Sequence, residues 1–184
     1  MVLETIAIAL WAMLPAYIPN NAAVIFGGGR PIDGGRTLGG SRLLGDGKTW
    51  RGAVAGIAAG AVLAVFLNRI VDSVSNAITV SLPEFSIFAI LLLPAGAILG
   101  DIGASFLKRR TGRERGAPFP GVDQLDFVVG ALLLVAIPAV LGIHDWFFDV
   151  FGLGELLAVF IITPVLHVVT NAIAYWIGFK DEPW

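Results

Sequence analysis

Five stretches of this 184-residue chain are apolar for long enough to read as membrane-spanning helices. They fall at about residues 2–26, 52–71, 85–107, 127–143 and 155–179. A helix rises about 1.5 Å per residue, so about 20 residues cross the hydrocarbon core. The third stretch is the clearest, because Asp101 is its sole charge between Phe85 and Leu107. The first carries Pro15, Pro19 and the pair Asn20 and Asn21, which predict a break near its end. The fourth is short, and its helix can extend back through Asp123. Charged residues make up 14% of the chain, against about 25% in soluble domains. The expected fold is an all-α integral membrane protein with five transmembrane helices. Residues 1–184 form a single membrane domain, with two long loops at 27–51 and 108–122.

The cations sort by loop. Arg30, Arg36, Arg42, Lys48 and Arg51 follow the first span; Lys108, Arg109, Arg110, Arg113 and Arg115 follow the third. Together they are ten of the twelve Lys and Arg residues; Lys180 follows the fifth span, and Arg69 alone lies on the other side. The positive-inside rule makes the cation-bearing face cytoplasmic. The N-terminus is then expected outside and the C-terminus inside, with a cytoplasmic active site in a multi-pass cell-membrane protein. Asp72, Glu84, Asp145, Asp149 and Glu155 line the opposite connections, where Trp146, Phe147 and Phe148 read as an interfacial anchor. Five spans produce this split, and four or six break it. Glu4 and the lack of a basic start argue against a cleaved signal peptide. With no cysteine, disulfides, thiolate metal sites and cysteine nucleophiles are excluded.

The first loop holds nine glycines and five cations in residues 27–51. A 25-residue connection without obvious structure has a function as a rule. Glycines such as Gly28 and Gly29 let backbone N–H groups approach an anion, and Arg42 and Lys48 supply charge for phosphate. Its end, GDGKTWRG, looks like a P-loop, but G-x-x-x-x-G-K-[ST] requires glycine where Arg42 stands. No strand precedes it and an apolar span follows. Lys48 and Thr49 nevertheless sit where a helix N-terminus favours anions. The alternative is a flexible loop whose charge only sets topology. On the second span Gly52, Gly56 and Gly60 recur every four residues, as in close helix packing.

The second polar block runs from Gly100 to Phe127. A carboxylate at the end of an apolar span marks a functional candidate, and Asp101, Ser105 and Lys108 share one helical face. The plainer alternative is that a nearby Lys or Arg neutralises Asp101. Asp123 and Asp126 stand three apart at the start of the fourth span, where Asp123 can equally serve as a helix cap. Three carboxylates at one depth repel one another, and a divalent cation relieves that repulsion. Carboxylates suit Mg²⁺, which takes phosphate oxygens as further ligands. The expected metal ligands are therefore Asp101, Asp123 and Asp126. The block as a whole points to Mg²⁺-assisted chemistry on phosphates, with one substrate reached from the cytoplasm and one from the bilayer. Thr163, His167, Thr170 and Asn171 form a polar stripe on the fifth span. They either bond between helices or line the headgroup cavity; the same choice holds for Asn20 and Asn21, with a site role preferred there.

The run Gly100-Asp101, Ser105, Lys108-Arg109 followed by Asp123 and Asp126 is similar to the signature of the CTP-dependent phosphatidate cytidylyltransferases. The chain resembles more closely the small archaeal members of that group. The resembling segments are NNAAVIFGGGRPID, GSRLLGDGKTWRG, GDIGASFLKRR, DQLDFVVGAL and NAIAYWIGFKDEPW, from about Asn20 to the C-terminus. The resemblance implies five transmembrane helices with cytoplasmic catalytic loops. It implies that CTP reacts with an unsaturated ether-lipid phosphate to give CDP-archaeol and pyrophosphate, with Mg²⁺ required. It carries catalytic roles to Asp101, Asp123, Asp126 and Lys108. Nucleotide or phosphate contacts fall to Gly28, Gly29, Arg42, Lys48, Thr49, Ser105, Arg109 and Asn21. No nucleic-acid partner is implied, and no oligomeric state. The bacterial pattern has a histidine and an arginine where this chain has PFPGVDQLD, with Gln124 between the aspartates, so no base role carries over for that histidine. A small transporter or channel is the rival class, yet it leaves the chemistry of two peripheral loops unexplained. An alcohol-phosphate transferase requires a D-x-x-D-G-x-x-A-R run, and here Phe127 follows Asp126.

Overall fold

The computed structural model describes residues 2–113 and 119–178. Arg115 and Lys180, two of the cations that bear on orientation, lie outside them, as does the end of the last resembling segment. In order, the elements are α1 (Val2–Tyr17), α2 (Pro19–Ile25), β1 (Thr37–Leu38), β2 (Ser41–Arg42), α3 (Trp50–Ile78), α4 (Ile87–Arg110), α5 (Val122–Val140), α6 (Trp146–Val150) and α7 (Leu153–Trp176). Among the described residues, five helical segments are long and apolar enough to cross a membrane, α1 and α2 together forming the first. The core is apolar, with Met13, Leu93, Val128 and Val159 fully buried.

The break in the first span has a covalent cause. Pro15 and Pro19 lack N–H donors, and the helix restarts with Pro19 in its first turn. Carbonyls on this bent helix then face the small residues of α3. A Cβ on Gly60 would stand 2.5 Å from the Pro15 carbonyl oxygen, one on Gly56 2.5 Å from that of Pro19, and one on Gly52 2.9 Å from that of Ala23. The glycine stripe therefore seats α3 against α1 and α2, backbone to backbone.

A second glycine set, of which the sequence marks Gly100 alone, joins α4 to α5. A Cβ on Gly96 would run into the Gly130 carbonyl, one on Gly130 into the Gly96 carbonyl, and one on Gly100 into the Asp126 carbonyl. That contact brings the residue before Asp101 against the backbone of Asp126. The opposite end of the bundle is closed by aromatic residues. Trp11 Nε1 donates to the Pro83 carbonyl at 3.0 Å and Trp146 Nε1 to the Glu84 carbonyl at 2.6 Å, with the Phe85 ring between the two indoles.

The first loop is structured, which counts against the flexible-loop alternative. Its β1–β2 hairpin pairs Thr37 with Arg42 and Leu38 with Ser41. Pro31 bridges Thr49, and Ile32 N–H donates to the Lys48 carbonyl at 2.8 Å. At the start of α5 the cap is Gly121, whose N–H is accepted by the Gln124 side chain, so Asp123 is not the capping residue.

Candidate active site

A cavity of about 1010 Å³ opens where α2, α3, α4, α5 and α7 meet. That is the upper end of the range for small-molecule pockets, with room for a nucleotide beside a headgroup. Asp101, Ser105 and Lys108 reach it from α4, Asp123 and Asp126 from α5, and Lys48 and Thr49 from the entry to α3. Asn20 and Asn21 add their amides from α2. Thr163, His167 and Thr170 face it from α7, whereas the Asn171 side chain lies outside the described residues. Deep in the wall the Tyr17 and Thr163 hydroxyls share a 2.9 Å hydrogen bond.

Two ion pairs organise the charge. Lys48 Nζ lies 2.5 Å from Asp101 Oδ2, and Lys108 Nζ lies 2.5 Å from Asp123 Oδ1. All four side chains are about a quarter exposed, so the pairs are wet enough to exchange partners. Asp123 Oδ2 also accepts the Phe119 N–H at 2.9 Å. Asp126 makes no ion pair with a described residue; its carboxylate accepts the Phe127 N–H at 2.6 Å. Thr49 caps α3, accepting the Gly52 N–H at 3.1 Å, and it is 5% exposed. Capping therefore places Lys48 at the mouth of the helix.

Do these residues fit a divalent metal? Among the described residues no three His, Cys, Asp or Glu side chains stand close enough to share one ion. The donor chemistry fits all the same. Three carboxylates face one cavity, one of them lacks a cationic partner, and Asn20 Oδ1 is buried without a hydrogen bond. These are hard oxygen donors of the kind Mg²⁺ takes, and two of them are held by lysines that a phosphate can draw away.

Four residues expected at the phosphates do not line this cavity. Arg42 is the counter-ion of Asp33, at 2.8 Å, and of Asp46, at 2.6 Å, and those pairs turn it into the loop. Arg109 lies against Gly45 and donates to the Arg113 carbonyl at 3.1 Å. Gly28 and Gly29 have φ of 91° and 79°, so they shape the turn out of α2.

Sequence reasoning missed Asp33, which organises the loop. Its carboxylate accepts the N–H groups of Gly35, Leu44 and Gly45 at 3.0, 3.1 and 3.2 Å, besides two bonds from Arg42. Arg110, at the end of α4, ties down the same hairpin by donating to the carbonyls of Leu38, Ser41 and Arg42. Lys48 is thus carried on a loop fixed at both ends. Arg42 and the three N–H groups hold the Asp33 carboxyl well below the usual carboxylate range, against the opposing effect of burial. A lowered folded-state pKa stabilises the loop fully above the unfolded value, about 3.9, and the stabilisation fades as pH falls below it. Asp33→Asn should loosen the loop by about 3 kcal/mol at pH values above about 4, where the wild-type carboxylate is charged, because it leaves Arg42 half-paired, and the difference from wild type should shrink in acid. Limited proteolysis within residues 27–49 checks this, with wild type resistant at pH 7 and the variant cut. Equal resistance would remove Asp33 from its role.

The apolar helices and the charged cavity are consistent with an integral-membrane enzyme. A solved structure described as an intramembrane enzyme for archaeal membrane lipids biosynthesis superposes with a TM-score of 0.70 at 36% identity, covering 93% of this chain and 94% of that one. The family described as CarS-like, CDP-archaeol synthase, matches residues 2–184. The CDP-archaeol synthase of Haloarcula marismortui is 64% identical over 98% of both chains, and that of Natronomonas pharaonis 59% identical over the full length of both. This chain belongs to the CDP-archaeol synthase family.

Proposed function

We propose that the protein transfers a cytidylyl group from CTP to an unsaturated archaeal ether-lipid phosphate, giving CDP-archaeol and pyrophosphate. The observation that carries this reading is that Lys48, Lys108, Asp101, Asp123 and Asp126 converge on one cavity at the ends of apolar helices. The CTP-dependent activity follows from the family, and the transporter reading loses its support. The cation-rich end is assigned to the cytoplasm on the charge split.

The lipid phosphate is an anionic nucleophile, so the reaction needs no strong general base. One of its oxygens attacks the α-phosphorus of CTP in line. A new P–O bond forms, the bond from the α-phosphorus to the bridging oxygen breaks, and pyrophosphate leaves with that electron pair. Lys48 and Lys108 leave their carboxylates and neutralise the phosphates, their positions set by Thr49 and by α4. Ser105 and Asn21 donate hydrogen bonds from the same wall. Asp101, Asp123 and Asp126 would hold Mg²⁺ once the lysines have moved to the phosphates, and the metal would supply charge neutralisation on the nucleotide. Catalysis is positioning and charge stabilisation. Offering each of the four nucleoside triphosphates with ether-lipid phosphate and Mg²⁺ tests it. Pyrophosphate release is expected with CTP, and silence with CTP would refute the proposal.

A further inference from the structure

A second cavity, of about 600 Å³, is walled mainly by the first loop and shares Ile32 with the catalytic one. Arg30, Arg36, Trp50 and Phe106 line it. The backbone there is fixed: Trp50 N–H donates to the Arg30 carbonyl at 3.3 Å, and Arg36 is bonded through Asp33 and Leu43 at 3.0 Å each. Both arginine side chains are exposed, and neither has a hydrogen-bond or ion-pair partner among the described residues. The sole carboxylate in the wall, Asp33, is neutralised by Arg42. The cavity is therefore cationic and pre-shaped. Its level is set by Trp50, first residue of α3 and 58% exposed, and by Phe106 in the last turns of α4, 41% exposed. Exposed aromatic rings at the ends of apolar helices sit at the headgroup layer.

We propose that this cavity binds the phosphate headgroup of an anionic membrane phospholipid, distinct from the substrate in the catalytic cavity. Phosphate is the shared chemistry of a headgroup and a nucleotide. The wall favours the headgroup: it has no free carboxylate to hold a nucleotide's metal, and it has aromatic sides that match acyl-chain necks. Basic pockets at helix ends bind anionic headgroups in this way. A bound headgroup would brace the loop that carries Lys48.

Native mass spectrometry of delipidated protein, offered phosphatidylglycerol or phosphatidylcholine, tests the site. Wild type should retain phosphatidylglycerol preferentially. Arg30→Gln and Arg36→Gln should each weaken that retention roughly fivefold, from about 1 kcal/mol per surface arginine. CTP binding, measured in parallel by calorimetry, should stay within about twofold, since no catalytic side chain changes. Unchanged phosphatidylglycerol retention in the double variant would overturn the proposal. So would a loss of CTP affinity with lipid retention intact, which would hand the cavity to the nucleotide.

Discussion

Asp126→Asn should lower turnover on the order of 10³-fold or more while the protein stays folded. Asparagine keeps the shape and still accepts the Phe127 N–H, so helix α5 has no reason to unwind. What goes is the carboxylate that has no cationic partner in the cavity. Metal-held charge stabilisation supplies several kcal/mol to phosphoryl chemistry, which converts to that loss in rate. The variant's Mg²⁺ dependence should shift to higher concentration, a readout that a purely structural role would leave alone. Near-normal turnover, or an unchanged Mg²⁺ requirement, would end the assignment of Asp126 to the metal.

Gly100→Ala should be nearly as damaging, for a different reason. A methyl there runs into the Asp126 carbonyl and the Phe127 Cα, both backbone atoms that cannot rotate away. Helices α4 and α5 must part, costing about 1–3 kcal/mol in packing. Asp101 then shifts relative to Asp126, and a 1 Å misplacement of catalytic groups costs about 10²-fold. Gly103 is one turn on in the same helix, and a methyl there meets nothing within 4 Å. Gly103→Ala should therefore leave activity near wild type. Steady-state rates and melting temperatures of the pair check this, and equal damage from both would remove the special role of the Gly100 contact.

The five apolar helices could be read directly, because a membrane span imposes length and hydropathy on a contiguous run. The Asp101, Ser105 and Lys108 face could be read from helical periodicity, and all three do line the cavity. The loop could not. Asp33 acts through backbone N–H groups at positions 35, 44 and 45, a closure that no periodicity records. Arg42 was misplaced for the same reason: an arginine among glycines reads equally as a phosphate ligand or as a counter-ion, and the buried Asp33 decides it. The glycines joining α4 to α5 were hidden because each looks ordinary in its own helix, and their meaning lies in the pairing. The expected phosphate contacts include Asn21 and not Asn20, whose buried and unbonded Oδ1 is visible only in the structure.

The pairing of Lys48 with Asp101 bears on the neutralisation alternative weighed for that aspartate, and Lys108 pairs with Asp123 in the same way. A neutralising partner is present in each case, at 2.5 Å. Yet each partner is a partly exposed lysine in the cavity wall, able to release its carboxylate when a more highly charged phosphate arrives. On the proposed mechanism, neutralisation and catalysis are successive states of the same four side chains.

The central claim is that the cytidylyl group, with the α-phosphorus of CTP, ends on the lipid. Purified protein in lipid, given CTP labelled at the α-phosphorus, Mg²⁺ and an unsaturated ether-lipid phosphate, tests it directly. The account predicts that label passes into a chloroform-soluble product in proportion to the pyrophosphate released. Label that stays in the aqueous phase while CTP is consumed would contradict it.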